Sequence, residues 1–272
     1  MKLGVRAHDY GKMSAEAMAE LLKREGFDAA QLAAAKAIEG VDSYIGMSRE
    51  KAGEIRKAFD ENGIFISVLG CYIDISCRDR AVYENHLELF KSAIQVSSWL
   101  NAGMVGTESS YGVVEMEDKE KTIGQVTEGL SILAEEGERM GVNVGIEPVA
   151  THTLYSPEWT RRLLDQVGSS RLQVIFDPVN MLAPDMVNRQ DEVWETCFQA
   201  FGREIAAIHL KDFKLDENGM FVPCPLGTGL MEYDTLFRWL HREKPEISIL
   251  REEIDPVTAQ DDVAFMKKWI EK

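Results

Sequence analysis

The sequence is short of the residues that would place it in several common classes. Its four cysteines, Cys71, Cys77, Cys197 and Cys224, contain no CxxC pair. That spacing excludes a zinc knuckle or a small disulfide-stapled scaffold and leaves reduced, structural thiols. No uncharged apolar run is long enough for a membrane helix, and the opening MKLGVRAHDYGKM lacks the apolar core and cleavage site of a signal peptide. A cytoplasmic location with no membrane partner is therefore expected. Positive charge is scarce: 30 Lys and Arg stand against 46 Asp and Glu, a net charge of -16 with a pI near 4.8. Phosphate backbones bind to basic surfaces, so no nucleic-acid partner is expected. A GxGxxG phosphate turn is also missing, since residues 8–11 read HDYG. Its absence counts against a doubly wound dinucleotide-binding fold.

What the sequence does have is a regular alternation of short apolar runs and helical periods. The 272 residues are 45% hydrophobic, enough for one large core, and about 250 residues is the usual size of an α/β barrel. The first run, residues 3–8 (LGVRAH), precedes a helix over 14–26 with Ser14 as N-cap and Gly26 as stop. A run at 27–32 leads into an alanine-rich segment that suits either strand or helix. A helix over 48–63 and a β-rich run over 64–72 follow. Further helices are expected at 80–100, 119–140, 156–168, 190–201 and 233–241, with a last one ending at Ile270. The strands between them fall at 102–109, 142–149, 172–179, 205–213 and 247–253, and the stretch 214–230 reads as irregular. Eight β/α units with no linker or low-complexity segment fit a single-domain (β/α)8 TIM barrel over 1–272.

Such barrels place their chemistry outside the carboxyl ends of the strands. The seventh strand, IAAIHLKDF (205–213), runs from apolar residues into titratable ones, with His209 and Lys211 on one face. The fifth strand ends in Glu147, the sixth in Asp177 and the eighth in Glu252 or Glu253. Glu147, Asp177 and His209 are spaced 30 and 32 residues apart, about one β/α unit each, so they sit on neighbouring strands at one rim. Each has a bland reading alone: Asp177 before Pro178 suits a turn or helix cap, and a lone His is more often a packed one. Together, two Glu, one Asp and one His make an oxygen-rich site for one divalent ion, Mn2+ first, with Mg2+, Co2+ or Zn2+ also suited.

The segments VGIEPV, VIFDPVN, AIHLKDF and ILREE, with PLGTG between the last two, resemble the xylose isomerase-like superfamily of sugar phosphate isomerases and epimerases. That resemblance implies a barrel in which Glu147, Asp177, His209 and Glu252 hold the metal, and a homodimer is a common arrangement. It also implies that Glu147 and Glu252 are the catalytic acid and base, moving a proton through a metal-stabilised enediolate of a small carbohydrate substrate. His8 at the end of the first strand, Glu108 at the end of the fourth, His152 in the loop after the fifth, Asn180 and Lys211 are candidate substrate contacts. Lys211 also suits an ion pair with a rim carboxylate, and His152 a solvated loop position. Ketose 3-epimerases of this kind usually carry His three residues after the sixth-strand Asp and Arg six after the seventh-strand His. Asn180 and Leu215 stand there instead, so substrate contacts differ.

Three rivals remain in view. A lyase or deglycosidase acting on 3-keto sugars would use the same enolate chemistry. An apurinic-site endonuclease would need more histidines than the five present, at 8, 86, 152, 209 and 241. A non-catalytic sugar-binding subunit would not need both glutamates.

Overall fold

A computed structural model describes residues 1–272. The chain opens with seven parallel strands, β1 (Lys2–Arg6), β2 (Ala29–Leu32), β3 (Phe65–Gly70), β4 (Met104–Glu108), β5 (Asn143–Glu147), β6 (Leu172–Phe176) and β7 (Ile205–Leu210). An antiparallel hairpin of β8 (Asp212–Leu215) and β9 (Phe221–Cys224) interrupts the series, and β10 (Ser248–Arg251) completes it. β10 lies between β7 and β1, so the eight parallel strands close into a barrel in the order β1-β10-β7-β6-β5-β4-β3-β2. The expected (β/α)8 TIM barrel is the observed fold.

Nine helices, α1 (Ala15–Glu25), α2 (Ala34–Ala37), α3 (Arg49–Glu61), α4 (Arg80–Leu100), α5 (Met116–Met140), α6 (Pro157–Val167), α7 (Gln190–Phe201), α8 (Asp234–Glu243) and α9 (Ala259–Ile270), occur along the chain. Their starts follow local chemistry. Ser14, Ser48 and Ser156 each accept a hydrogen bond from the backbone N–H three residues on, which satisfies a donor the helix itself leaves free. The alanine-rich segment after β2 resolves as the single turn α2.

Inside the barrel, Ala29, Val68, Met104, Ile175, Ala207 and Leu250 form a compact apolar cluster. Glycine makes room for it. A Cβ at Gly106 would sit 2.6 Å from both Ile175 and Val68, and one at Gly145 would sit 2.7 Å from the Met104 sulfur. Alternation then carries each strand two residues further to its last inward position. From Gly145, Ile175, Ala207 and Leu250 that step lands on Glu147, Asp177, His209 and Glu252.

Some boundaries differ from the sequence expectations. β1 stops at Arg6, and His8 lies in a 3-10 turn over Ala7–Tyr10. β6 stops at Phe176, because Asp177 Oδ1 accepts from the N–H groups of Val179 (2.8 Å) and Asn180 (3.0 Å) and turns the chain. The stretch 214–230 is not irregular throughout, since it takes in most of the hairpin, with Asn218-Gly219 near its tip. Its two strands are four residues each and one contains Pro223, so strand signals are weak there.

Two buried acids tie this excursion back to the barrel. Asp212 accepts backbone N–H groups from Phe213, Gly227, Gly229 and Met231, wrapping the loop that follows the hairpin around one carboxylate. Asp262 accepts from Arg251 Nε at 2.6 Å and from the Leu226 N–H at 2.8 Å. Arg251 and Asp262 are each 1% exposed, and Arg251 also donates to the carbonyls of Glu252 and Cys224. Removing one partner leaves the other charged in a dry interior. Asp262→Ala should therefore lower unfolding free energy by about 3–5 kcal/mol, measured by urea denaturation; a loss under about 1 kcal/mol would show that Arg251 finds water or another acid.

Candidate metal centre and active site

Glu147 (β5), Asp177 (after β6) and His209 (β7) come from three adjacent strands, and one ligand atom from each lies within 4.8 Å of the others. All three are buried, at 2%, 0% and 1% exposure. Glu252, just past β10, joins them from the other side. His209 Nδ1 is 2.9 Å from Glu147 Oε2 and 3.3 Å from Glu252 Oε1. Glu253 does not compete for this place, because it is exposed and takes a left-handed φ of 57°.

Asp177 fulfils its turn-capping reading with one oxygen and turns the other toward the cluster. Oδ1 caps the 3-10 turn, while Oδ2 is buried, accepts no aligned hydrogen bond and lies 3.1 Å from Lys211 Nζ. Neither ring nitrogen of His209 has an aligned hydrogen-bond partner. Buried polar atoms without partners are costly. Carboxylate oxygens and an imidazole nitrogen turned toward one point are the donor set of a divalent cation, and the residues present fit one.

The charges match that reading. Burial alone would lower the His209 imidazole, but the carboxylates of Glu252 and Glu147 outweigh it and raise His209 to about 9. Burial would raise Glu252, yet His209, Lys211 and Arg6 hold it down at about 2. Asp177 rises to about 6, chiefly through burial, with Lys211 opposing. A proton on His209 and the ammonium of Lys211 therefore offset three crowded carboxylates, and a cation would replace the proton.

The other sequence candidates lie around this cluster. Asn180 Nδ2 donates to Glu147 Oε1 at 2.6 Å, and Lys211 Nζ donates to Asn180 Oδ1 at 2.6 Å. Lys211 thus makes its pairing with a rim carboxylate, Asp177. Glu108 is the register partner of Glu147 on β4, and its Oε2 lies 3.3 Å from His152 Nδ1. His152 is 6% exposed, not a solvated loop residue. Burial, then the charges of Glu147 and Glu252, push Glu108 up to about 8, and burial lowers His152. His8 is half-buried, its Nδ1 has no partner, and burial followed by Arg6 lowers it. Trp194, on α7, is fully buried.

Three residues near the centre escaped the sequence reading. Arg6 pairs with Asp9 at 2.8 Å and reaches within 3.7 Å of Glu252 Oε1. Tyr72 is held far above its ordinary range by burial and by Glu252, Glu147 and Glu108, and it hydrogen-bonds Gln31. Arg6 and Gln31 share the inward phase of Gly4 and Ala29, which was the available signal.

The fold and the site define a (β/α)8 barrel with a buried acid-histidine cluster at the carboxyl ends of its strands, one that could hold a metal ion. The family model described as xylose isomerase-like TIM barrel matches residues 19–269, and the chain belongs to that family. No curated protein sequence matches it. Among solved structures it is similar to D-psicose 3-epimerase in the presence of D-fructose, at 17% identity, with all of both chains covered and a TM-score of 0.76. It is also similar to 3-keto-D-glucoside 4-epimerase, YcjR, from E. coli, at 17% identity, covering 98% of this chain and 99% of that one with a TM-score of 0.77. A third similar structure is the IOLI protein with a zinc atom, at 17% identity, 99% and 96% coverage and a TM-score of 0.74. No helix of this chain is long and apolar enough to cross a membrane.

If the cluster holds a divalent ion, chelator-treated protein should gain about 5–10 °C in melting temperature with Mn2+ or Zn2+ at about 100-fold above Kd. Asp177→Ala should fold and lose that gain. A melting temperature indifferent to metal in the unaltered protein would remove the metal from this site.

Proposed function

We propose that the protein is a divalent-metal-dependent sugar or sugar phosphate isomerase/epimerase, with Glu147, Asp177, His209 and Glu252 as the ligands of one ion, Mn2+ first among the suited metals. The observation that carries this reading is the convergence of two buried carboxylates, Glu147 and Glu252, on one histidine from strands separated by β6 and β7. Two such groups on opposite sides of a small carbohydrate form an acid/base pair, one removing a proton beside a carbonyl and the other returning it. A divalent ion bound there would stabilise the negative charge that develops on the substrate oxygens. Glu252, held ionised by His209, Lys211 and Arg6, suits the base in one direction. Glu147 suits its partner, and its position is fixed by Asn180. His8 and the Glu108–His152 pair, which lie around the cluster, suit contacts to substrate hydroxyls.

Glu108 favours a second reading. Burial and the neighbouring Glu147 and Glu252 raise its carboxyl, and a carboxyl so raised suits a proton donor to a departing oxygen, as elimination from a 3-keto sugar or glycoside requires. An abasic-site nuclease fits less well. Of the five histidines, His86 and His241 are committed to the carbonyls of Asp74 and Trp269, and the chain is strongly acidic.

Incubating the metal-loaded protein with ketoses, aldoses, their phosphates and 3-keto glycosides in deuterium oxide, read by NMR, separates these outcomes. Deuterium at one carbon with inversion marks epimerisation, deuterium at the adjacent carbon marks isomerisation, and loss of a substituent marks elimination. Glu147→Gln should slow exchange by about 10²- to 10⁴-fold with the fold retained. Unchanged exchange would take Glu147 out of the reaction. Glu108→Gln should suppress elimination far more than epimerisation.

A further inference from the structure

Asn180 is pinned before its side chain does anything. Its N–H goes to Asp177 Oδ1 and its carbonyl accepts from the Ala150 N–H at 2.8 Å, so the loops after β5 and β6 both hold its backbone. The side chain then joins two residues of opposite charge. Lys211 can only donate and the Glu147 carboxylate can only accept. The amide therefore has one possible sense, with Oδ1 toward Lys211 and Nδ2 toward Glu147. Reversing it would set donor against donor and acceptor against acceptor.

Lys211 is itself fixed. It stands two residues past His209 in the same inward phase, its side chain is 14% exposed, and it is 3.1 Å from Asp177 Oδ2. The result is a chain of contacts from Lys211 through Asn180 to Glu147 Oε1. With Oε1 held, the carboxylate cannot rotate, and Oε2 is left facing His209 at 2.9 Å.

We infer that Lys211 and Asn180 are positioning residues that act as one unit on Glu147, and that neither is a contact for the sugar. The amide uses its carbonyl on Lys211 and an N–H on Glu147, and the ammonium is shared between Asn180 and Asp177. The kinetic part of the inference rests on the isomerase/epimerase reading; the geometric part does not. Partners one step removed from a metal centre set ligand orientation, and their loss commonly changes affinity or activity by about 10- to 100-fold.

Asn180→Ala, Lys211→Met and the double variant test this. Asn180→Ala should lower kcat for sugar proton exchange about 10- to 100-fold, leave KM within about threefold, and weaken Mn2+ binding by calorimetry about tenfold. Lys211→Met should lower kcat by a similar factor, and the double variant should fall no further than the more impaired single one, because both break the same chain. A raised KM at unchanged kcat would put these side chains on the sugar and overturn the inference. Multiplying losses in the double variant, or Mn2+ affinity unchanged in Asn180→Ala, would overturn it too. Should Lys211→Met fail to fold, Asn180→Ala at a half-buried turn carries the test through its KM–kcat split and Mn2+ affinity. Calorimetry needs no sugar. If the unaltered protein exchanges no sugar proton, the proposed reaction fails, while a tenfold loss of Mn2+ affinity still upholds the positioning role.

Discussion

Three carboxylates packed into one dry space are the constraint on which this molecule turns. Glu147, Asp177 and Glu252 are almost without solvent, and like charges so placed repel unless cations stand among them. The chain supplies His209 between two of them, Lys211 against the third, and Arg6 behind Glu252. Each cationic group explains a neighbour that would otherwise look accidental. Asn180 has an amide end for each sign of charge, and Asp9 occupies the guanidinium edge that Glu252 does not. The same crowding makes a divalent ion a natural replacement for the proton on His209.

The barrel is what allows such crowding. Below the acids, the interior is filled by the small and apolar side chains of Ala29, Val68, Met104, Ile175, Ala207 and Leu250. Glycines at the inward positions of β4 and β5 admit Ile175 and Met104, which fill the space under Glu147. On the outer side, Arg251 and Asp262 hold β10, the hairpin loop and α9 together directly behind Glu252. The strand that delivers the second glutamate is thereby anchored from its other face, and Asp212 does the same for the loop after the strand that delivers His209.

Much of this was legible because the signals are local. Serine before a helical period, glycine after it, and an apolar run ending in Glu147, Asp177 or His209 each depend on a few neighbouring residues. The β8–β9 hairpin was not legible, because its strands are short, half-exposed and interrupted by Pro223. The sequence left His152 between a substrate contact and a solvated position because nothing near it in the chain reveals that it is buried with Glu108, from the preceding strand, 3.3 Å away. The choice between Glu252 and Glu253 could not come from alternation alone. β10 (SILR) carries one polar and one apolar residue on each face, and only the placement of Leu250 inside the barrel shows which phase points inward.

The sequence by itself determined the barrel, its eight units and the residue types at the strand ends, since period and punctuation are written along the chain. Tertiary structure alone decided that Glu252 faces His209, that Asp177 divides its oxygens between a turn and the cluster, and that Lys211 reaches Glu147 through Asn180. Those are relations of a few ångströms between side chains tens of residues apart, fixed only when barrel closure and strand register bring them together. IAAIHLKDF announces a histidine and a lysine at the end of a strand; the partners each one keeps belong to the other strands.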